Sequence, residues 1–164
     1  MIRTGLGYDI HRLERGSPGK RRRFLLAGVE IPFSKGETGH SDGDALAHAV
    51  CDAILGAAGL GDIGEMFPPS EPAWKDADSM ALLRKAFARV KQAGWRLVNL
   101  DCVVICEKPK VLPYRDAIRN SLAEALEAGI DRIFVKGKTK EGLGPVGKGK
   151  AVEVLAQCLI ENQG

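Results

Sequence analysis

The 164-residue sequence predicts one α/β domain spanning residues 1–164, an α+β sandwich in which a small mixed β-sheet is covered by helices on one face. Three observations point there. Stretches with strand-like and helix-like patterning alternate along the chain. An apolar content of 45% suffices to bury an ordinary core at this length. Twenty glycines punctuate the chain and call for many special turns or close backbone approaches.

In chain order, residues 2–11 form a short strand containing two glycines. The segment RGSPGKRRR at 15–23 is a loop whose basic run reads as a solvated hairpin tip. FLLAGVEI at 24–31 is a second strand, ended by Pro32. Ser41 or Asp42 caps a helix in which Leu46, Val50, Ile54 and Ala57 recur at helical spacing, and the helix stops near Gly59. GLGDIGEMFPPSEP at 59–72 is too dense in Gly and Pro for regular structure and reads as a substrate lid. Ser79 caps the next helix, with Leu83, Phe87 and Val90 on one face and Gly94 as its stop. Residues 97–106 are apolar and β-rich, as in a central strand. Pro113 opens a helix to about residue 128, with Ile118, Leu122 and Leu126 in register. A short strand at 133–136, a Gly- and Lys-rich loop at 137–150 and a closing helix at 151–162 complete the prediction.

Composition excludes several function classes. Twenty-four Lys and Arg against 21 Asp and Glu leave a formal charge of only +3, and aromatics are 5%, so neither a basic footprint nor a base-stacking surface for nucleic acid is expected. No apolar run approaches a membrane span, and MIRTGLGYDIH lacks the apolar core of a signal peptide. Cys51, Cys102, Cys106 and Cys158 contain no C-x-x-C pair, and three of them sit in apolar runs, the pattern of buried reduced thiols. The expected setting is the cytoplasm, without a membrane or nucleic-acid partner.

The loop at 137–150 holds two misleading motifs. Gly142, Gly144 and Gly147 fit G-x-G-x-x-G, but too little chain follows for the second strand and acidic residue of a dinucleotide site. Gly142 to Lys148 fits the start of a phosphate-binding loop, but Gly149 stands where Ser or Thr would hold magnesium. What both share is an anion site: free N–H groups at a helix start, flanked by Lys138, Lys140, Lys148 and Lys150. A solvated basic loop accounts for the same residues.

The three histidines are more informative. Asp9 and His11, two apart on a strand, project to the same side. His40 and His48 flank Ser41-Asp42-Gly43-Asp44 at a helix start, and Asp44, His48 and Asp52 share one helix face, which places a carboxylate one turn either side of an imidazole. One Asp and two His from a strand and a helix make three ligands with a fourth position open, the pattern of catalytic zinc. The alternative is a surface His11 and a His48 that is simply satisfied within its helix.

These residues resemble the family of 2-C-methyl-D-erythritol 2,4-cyclodiphosphate synthases. G-Y-D-I-H at 7–11, H-S-D-G-D-A-L-A-H at 40–48, G-L-G-D-I-G-E-M-F-P at 59–68, D-S at 78–79, P-K-V-L-P at 109–113 and T-K-E-G-L-G at 139–144 are similar to that family's motifs, in its order and nearly end to end. The resemblance implies cyclisation of 4-diphosphocytidyl-2-C-methyl-D-erythritol 2-phosphate to the 2,4-cyclodiphosphate with release of CMP, in the non-mevalonate route to isoprenoids. It implies one zinc per subunit on Asp9, His11 and His48, and a magnesium or manganese ion held by Glu141 between the substrate phosphates. His40 and Ser41 would meet the phosphate region, with His40 and Thr139 assisting the transition state. Asp62, Ile63 and Gly64 would hold the methylerythritol hydroxyls, with Phe67, Ser70 and Glu71 nearby. Cys106, Pro109, Lys110, Val111 and Leu112 would wrap the cytosine, while Lys138, Lys140 and Lys148 would lie along the phosphates. The implied assembly is a homotrimer with its sheets facing the three-fold axis and active sites between subunits.

The chain also departs from that family's pattern. Pro69 stands where an Asp is usual, Lys138 and Lys140 flank Thr139 in place of a run of Thr, Pro145 replaces an aromatic, and Lys148 replaces an Arg, losing bidentate geometry but keeping charge. None of these positions is a metal ligand. Two other readings of the residues are a metal-dependent phosphohydrolase, with the same ligands activating water, and a non-catalytic anion-binding module resting on the Lys/Gly loop.

Overall fold

The computed structural model describes residues 1–19, 21–39, 41–74 and 76–162. Its main sheet has five strands in the order β4-β1-β7-β5-β6: Gly36–Thr38 (β4), Ile2–Glu14 (β1), Ala151–Asn162 (β7), Trp95–Ile105 (β5) and Ile133–Lys138 (β6). All pairings are antiparallel except β5 with β6, so the sheet is mixed as predicted. Three main helices pack on one face: α1 (Ala45–Ala58) against β1 and β7, α3 (Ser79–Gln92) against α1 and β5, and α4 (Arg115–Ala125) against β6. On the other face Leu6, Tyr8, Ile10 and Phe134 are exposed. No helix among the described residues is long and apolar enough to cross a membrane.

Helix α1 approaches β1 unusually closely because both surfaces are small. A stripe of Ala49, Ala53 and Ala57 faces the sheet, and Gly5 and Gly7 of β1 lie beneath it. A Cβ on Gly5 would collide with the Ala53 carbonyl, and one on Gly7 with that of Ala49. This fit brings His48 of α1 to the row of Asp9.

The structure corrects several predicted elements. The closing helix at 151–162 is instead β7, the central strand, whose Val152, Val154, Ala156, Cys158 and Ile160 alternate into the core. Helix-favouring Ala, Leu, Glu and Gln mask this period-two burial. The loop before it therefore leads into a strand: the only helix there, α5 (Gly144–Gly147), is a single turn, and the extended helix start expected to bind an anion is absent. The strand expected at 24–31 is a hairpin, β2 (Phe24–Leu26) and β3 (Val29–Ile31), turned by Ala27 and Gly28 with positive φ at both. The lid is not wholly irregular, since it contains the one-turn helix α2 (Ile63–Met66) and runs into a 3₁₀ turn at Pro72–Trp74. Asp44 caps α1, where Ser41 or Asp42 was expected; Asp78 caps α3 one residue before Ser79; and a 3₁₀ turn at Leu112–Tyr114 precedes α4. All four cysteines are buried and free, and burial raises each thiol pKa, to about 11 at Cys106 and Cys158.

Candidate active site

Asp9 and His11 leave β1 on its helix-covered face, and His48 comes down from the first turns of α1 to meet them. Asp9 Oδ2 lies 2.9 Å from His11 Nε2 and 3.1 Å from His48 Nδ1. One ligand atom from each residue falls within 4.8 Å of the others, the one such cluster of three among the described residues. The outer nitrogen of each ring is occupied by protein. His11 Nδ1–H donates to the Gly43 carbonyl at 2.5 Å, with Glu37 Oε2 at 3.3 Å, while His48 Nε2 faces Ser79 Oγ at 2.9 Å and Ser41 Oγ at 3.0 Å. Two imidazole nitrogens and a carboxylate oxygen thus converge with their far sides anchored, a donor set suited to zinc.

The electrostatics ask for a cation. Burial opposes ionisation of Asp9, yet its contacts with the His11 and His48 rings outweigh it and hold the carboxyl far below its ordinary range. Burial alone would lower the His11 pKa, but the Asp9 and Glu37 carboxylates raise it to about 10.

The ligands open onto a cavity of about 370 Å³ lined in part by Ser41, Ile63, Gly64, Phe67, Pro69 and Trp74. Of the residues expected to hold the substrate's hydroxyls, Ile63 and Gly64 line it, as does Phe67. Asp62 is exposed and caps α2 through the Glu65 N–H at 2.8 Å, and Ser70 and Glu71 are exposed outside the lining. Asp52 and Asp44 do not bracket His48 as their spacing suggested. Asp52 accepts from the Ile63 N–H at 2.9 Å, tying α1 to the start of α2. Asp44, fully buried, accepts from Ala47 and Ala27 at 3.0 Å and from Gly28 at 2.6 Å, tying the hairpin to α1. His40 lies outside the described residues.

A second cavity, of about 270 Å³, is lined by Cys106, Pro109, Lys110, Val111, Leu112, Lys138 and Thr139, among others. It shares no residue with the first. Asp9 pairs with Val154, which pairs with Val104, which pairs with Gly137 at the second cavity's wall. Three strand spacings, about 14 Å, therefore separate the two within one chain. Near the second cavity Thr139 Oγ1 donates to Glu141 Oε1 at 2.7 Å, and Glu107 accepts from the Lys140 N–H at 2.8 Å. Lys140 Nζ is paired with Glu153 at 2.7 Å, and Lys148 is exposed.

Sequence reasoning missed Glu37, which lies on an unpredicted short strand, and the contact of Ser79 with His48. The D-S pair at 78–79 was the only signal for the latter.

Fold and site define a class: a mixed α/β protein with a candidate Asp-His-His metal site at a strand–helix junction. The YgbB family profile matches residues 2–161. The 2-C-methyl-D-erythritol 2,4-cyclodiphosphate synthase of Treponema denticola is 55% identical over 159 residues, covering 97% of this chain and 96% of its own. IspF from Plasmodium falciparum, solved as a CDP complex, superposes with a TM-score of 0.85 at 35% identity, over 99% of this chain and 97% of that one. The bifunctional IspDF from Campylobacter jejuni gives a TM-score of 0.92 at 41% identity; the match covers 99% of this chain but only 42% of that one. The chain belongs to the YgbB family of 2-C-methyl-D-erythritol 2,4-cyclodiphosphate synthases.

Proposed function

We propose that this chain cyclises 4-diphosphocytidyl-2-C-methyl-D-erythritol 2-phosphate, with zinc on Asp9, His11 and His48, as one cytoplasmic domain over residues 1–164. The observation that carries the reading is the convergence of those three ligands on the wall of the cavity that Ile63, Gly64 and Phe67 line. An oxygen of the 2-phosphate attacks the β-phosphorus of the diphosphate, the bond from that phosphorus to the bridging oxygen breaks, and CMP leaves with that oxygen. The nucleophile is already an anion, so the chain's task is positioning, charge neutralisation and exclusion of water. Held by Asp9, His11 and His48, zinc would supply Lewis-acid polarisation of a diphosphate oxygen, and magnesium or manganese held by Glu141 would supply further charge neutralisation.

The chain's own residues divide the remaining work. Ser41 and His40 meet the phosphate region. Ile63 and Gly64, with Asp62 holding their turn, receive the methylerythritol hydroxyls, and the segment from Phe67 through Ser70 and Glu71 closes over them. Backbone groups of Cys106, Pro109, Lys110, Val111 and Leu112 hold the cytosine. Thr139 donates toward the transferring phosphoryl group, with Lys138, Lys140 and Lys148 supplying positive charge nearby. Since the metal cavity and the cytidine cavity are about 14 Å apart in one chain, a neighbouring copy would supply the second half of each site. A homotrimer with the exposed apolar sheet faces turned to its axis accommodates this.

Incubation of the purified protein with substrate is expected to yield cyclodiphosphate and CMP, to stop on chelation and to resume on adding zinc, with one zinc per chain by elemental analysis. A linear phosphate product, or full turnover without metal, sinks the proposal.

A further inference from the structure

We propose that Ser79, held by Asp42, is a positioning residue that fixes the tautomer of His48, leaving Nδ1 free to bind metal. The inference rests on the metal-site reading above. An imidazole can bind a metal through either nitrogen, and only the partner of the other nitrogen decides which. Here Nδ1 faces Asp9 and Nε2 faces the Ser79 and Ser41 hydroxyls. A serine hydroxyl can donate or accept, so serine alone leaves the proton on Nε2 undecided.

Asp42 decides it. A carboxylate only accepts, and Ser79 Oγ donates to Asp42 Oδ1. The Ser79 proton is thereby committed to Asp42, and the lone pair that remains toward His48 must accept from Nε2–H. With its proton on Nε2, His48 presents a bare Nδ1 to the metal. Asp42 holds Ser79 at a second point by accepting its backbone N–H at 3.1 Å, and its own N–H donates to the Ala77 carbonyl at 3.2 Å. Ser79 has no solvent exposure, so water does not compete for these bonds. It is also absent from the cavity lining, whereas Ser41 is present there, so Ser79 acts through His48 and not on substrate.

The test measures zinc affinity of metal-free protein by competition with a chromophoric chelator, alongside the visible spectrum of the cobalt-substituted form. Wild type is expected to bind, and Ser79→Ala to bind about 10- to 100-fold more weakly with an altered cobalt spectrum. Asp42→Asn, whose amide can donate to Ser79 and reverse the chain of donors, is expected to do the same and serves should Ser79→Ala fail to fold. Asp78→Ala removes the cap of the same helix, an acceptor for the Met80 N–H at 2.9 Å, without touching His48; it should lower Tm and leave zinc affinity unchanged. Unchanged affinity in folded Ser79→Ala or Asp42→Asn, or an equal loss in Asp78→Ala, overturns the inference while the metal site stands. Failure of wild type to bind zinc overturns both.

Discussion

Glu37 is buried with a side chain that meets no solvent, and its two oxygens have different surroundings. Oε2 accepts from the Ala45 N–H at 2.8 Å and lies beside His11, while Oε1 has no hydrogen-bond partner among the described residues. Burial raises its pKa to about 8, against the lowering pull of His11. The sign of the resulting pH dependence follows for the metal-free protein. A carboxyl raised from 4.5 to about 8 costs nothing below pH 4.5 and costs progressively more up to pH 8. A histidine raised from 6.5 to about 10 contributes its full stability below pH 6.5 and loses it as pH rises through 10. His11 and Glu37 titrate as one coupled pair, and its net effect is to destabilise the chelated protein between neutral and alkaline pH. Metal binding displaces the His11 proton, so it strengthens over the same interval. Melting curves with zinc and with chelator should therefore show a Tm difference that widens from pH 6 to pH 8.5. A constant or narrowing difference would mean that His11 is not the group metal and proton share.

At the scale of elements, the meeting of Asp9 with His48 depends on how closely α1 lies on β1. Gly7→Ala would drive a methyl into the Ala49 carbonyl, one residue from His48, and force the helix outward. A loss of about 2 kcal/mol is expected from overpacking, together with weaker zinc binding as the two ligands separate. Gly56→Ala in the same helix meets nothing within 4 Å among the described residues beyond its own turn of helix, and should raise Tm slightly, since alanine is the better helix former. A Gly7→Ala protein with wild-type Tm and zinc affinity would show that close packing does not set the ligand distance. The elements whose patterning matched one period were legible in sequence: the Leu46, Val50 and Ile54 face of α1, and Asp9 and His11 on one side of a strand. β7 was not, because local helix propensity opposes the alternation that only a flanking strand on each side makes decisive. The acidic neighbours of His48 misled for a related reason. Spacing puts Asp44 and Asp52 on its face, but backbone N–H groups of Ala27, Gly28 and Ile63, whose positions sequence does not reveal, claim them first.

For the whole molecule, the uncovered sheet face is the consequential feature. Leu6 is 69% exposed, Tyr8 50%, Ile10 45% and Phe134 43%, a run of large apolar side chains that a lone chain would leave in water. If that face turns inward in a homotrimer, a charge at its centre should dissociate the assembly. Leu6→Glu is then expected to sediment as a single 17.6 kDa chain, where the proposed assembly would sediment as three. Two properties should then part. Zinc content should remain near one per chain, because Asp9, His11 and His48 all belong to the same subunit and lie on the opposite face of the sheet from Leu6. Turnover should collapse, because the cavity formed by Cys106–Leu112 is out of reach of the metal within one chain and no partner remains to supply it. A monomeric Leu6→Glu protein with full turnover would place both halves of the site in one subunit, and a trimeric one would move the interface elsewhere.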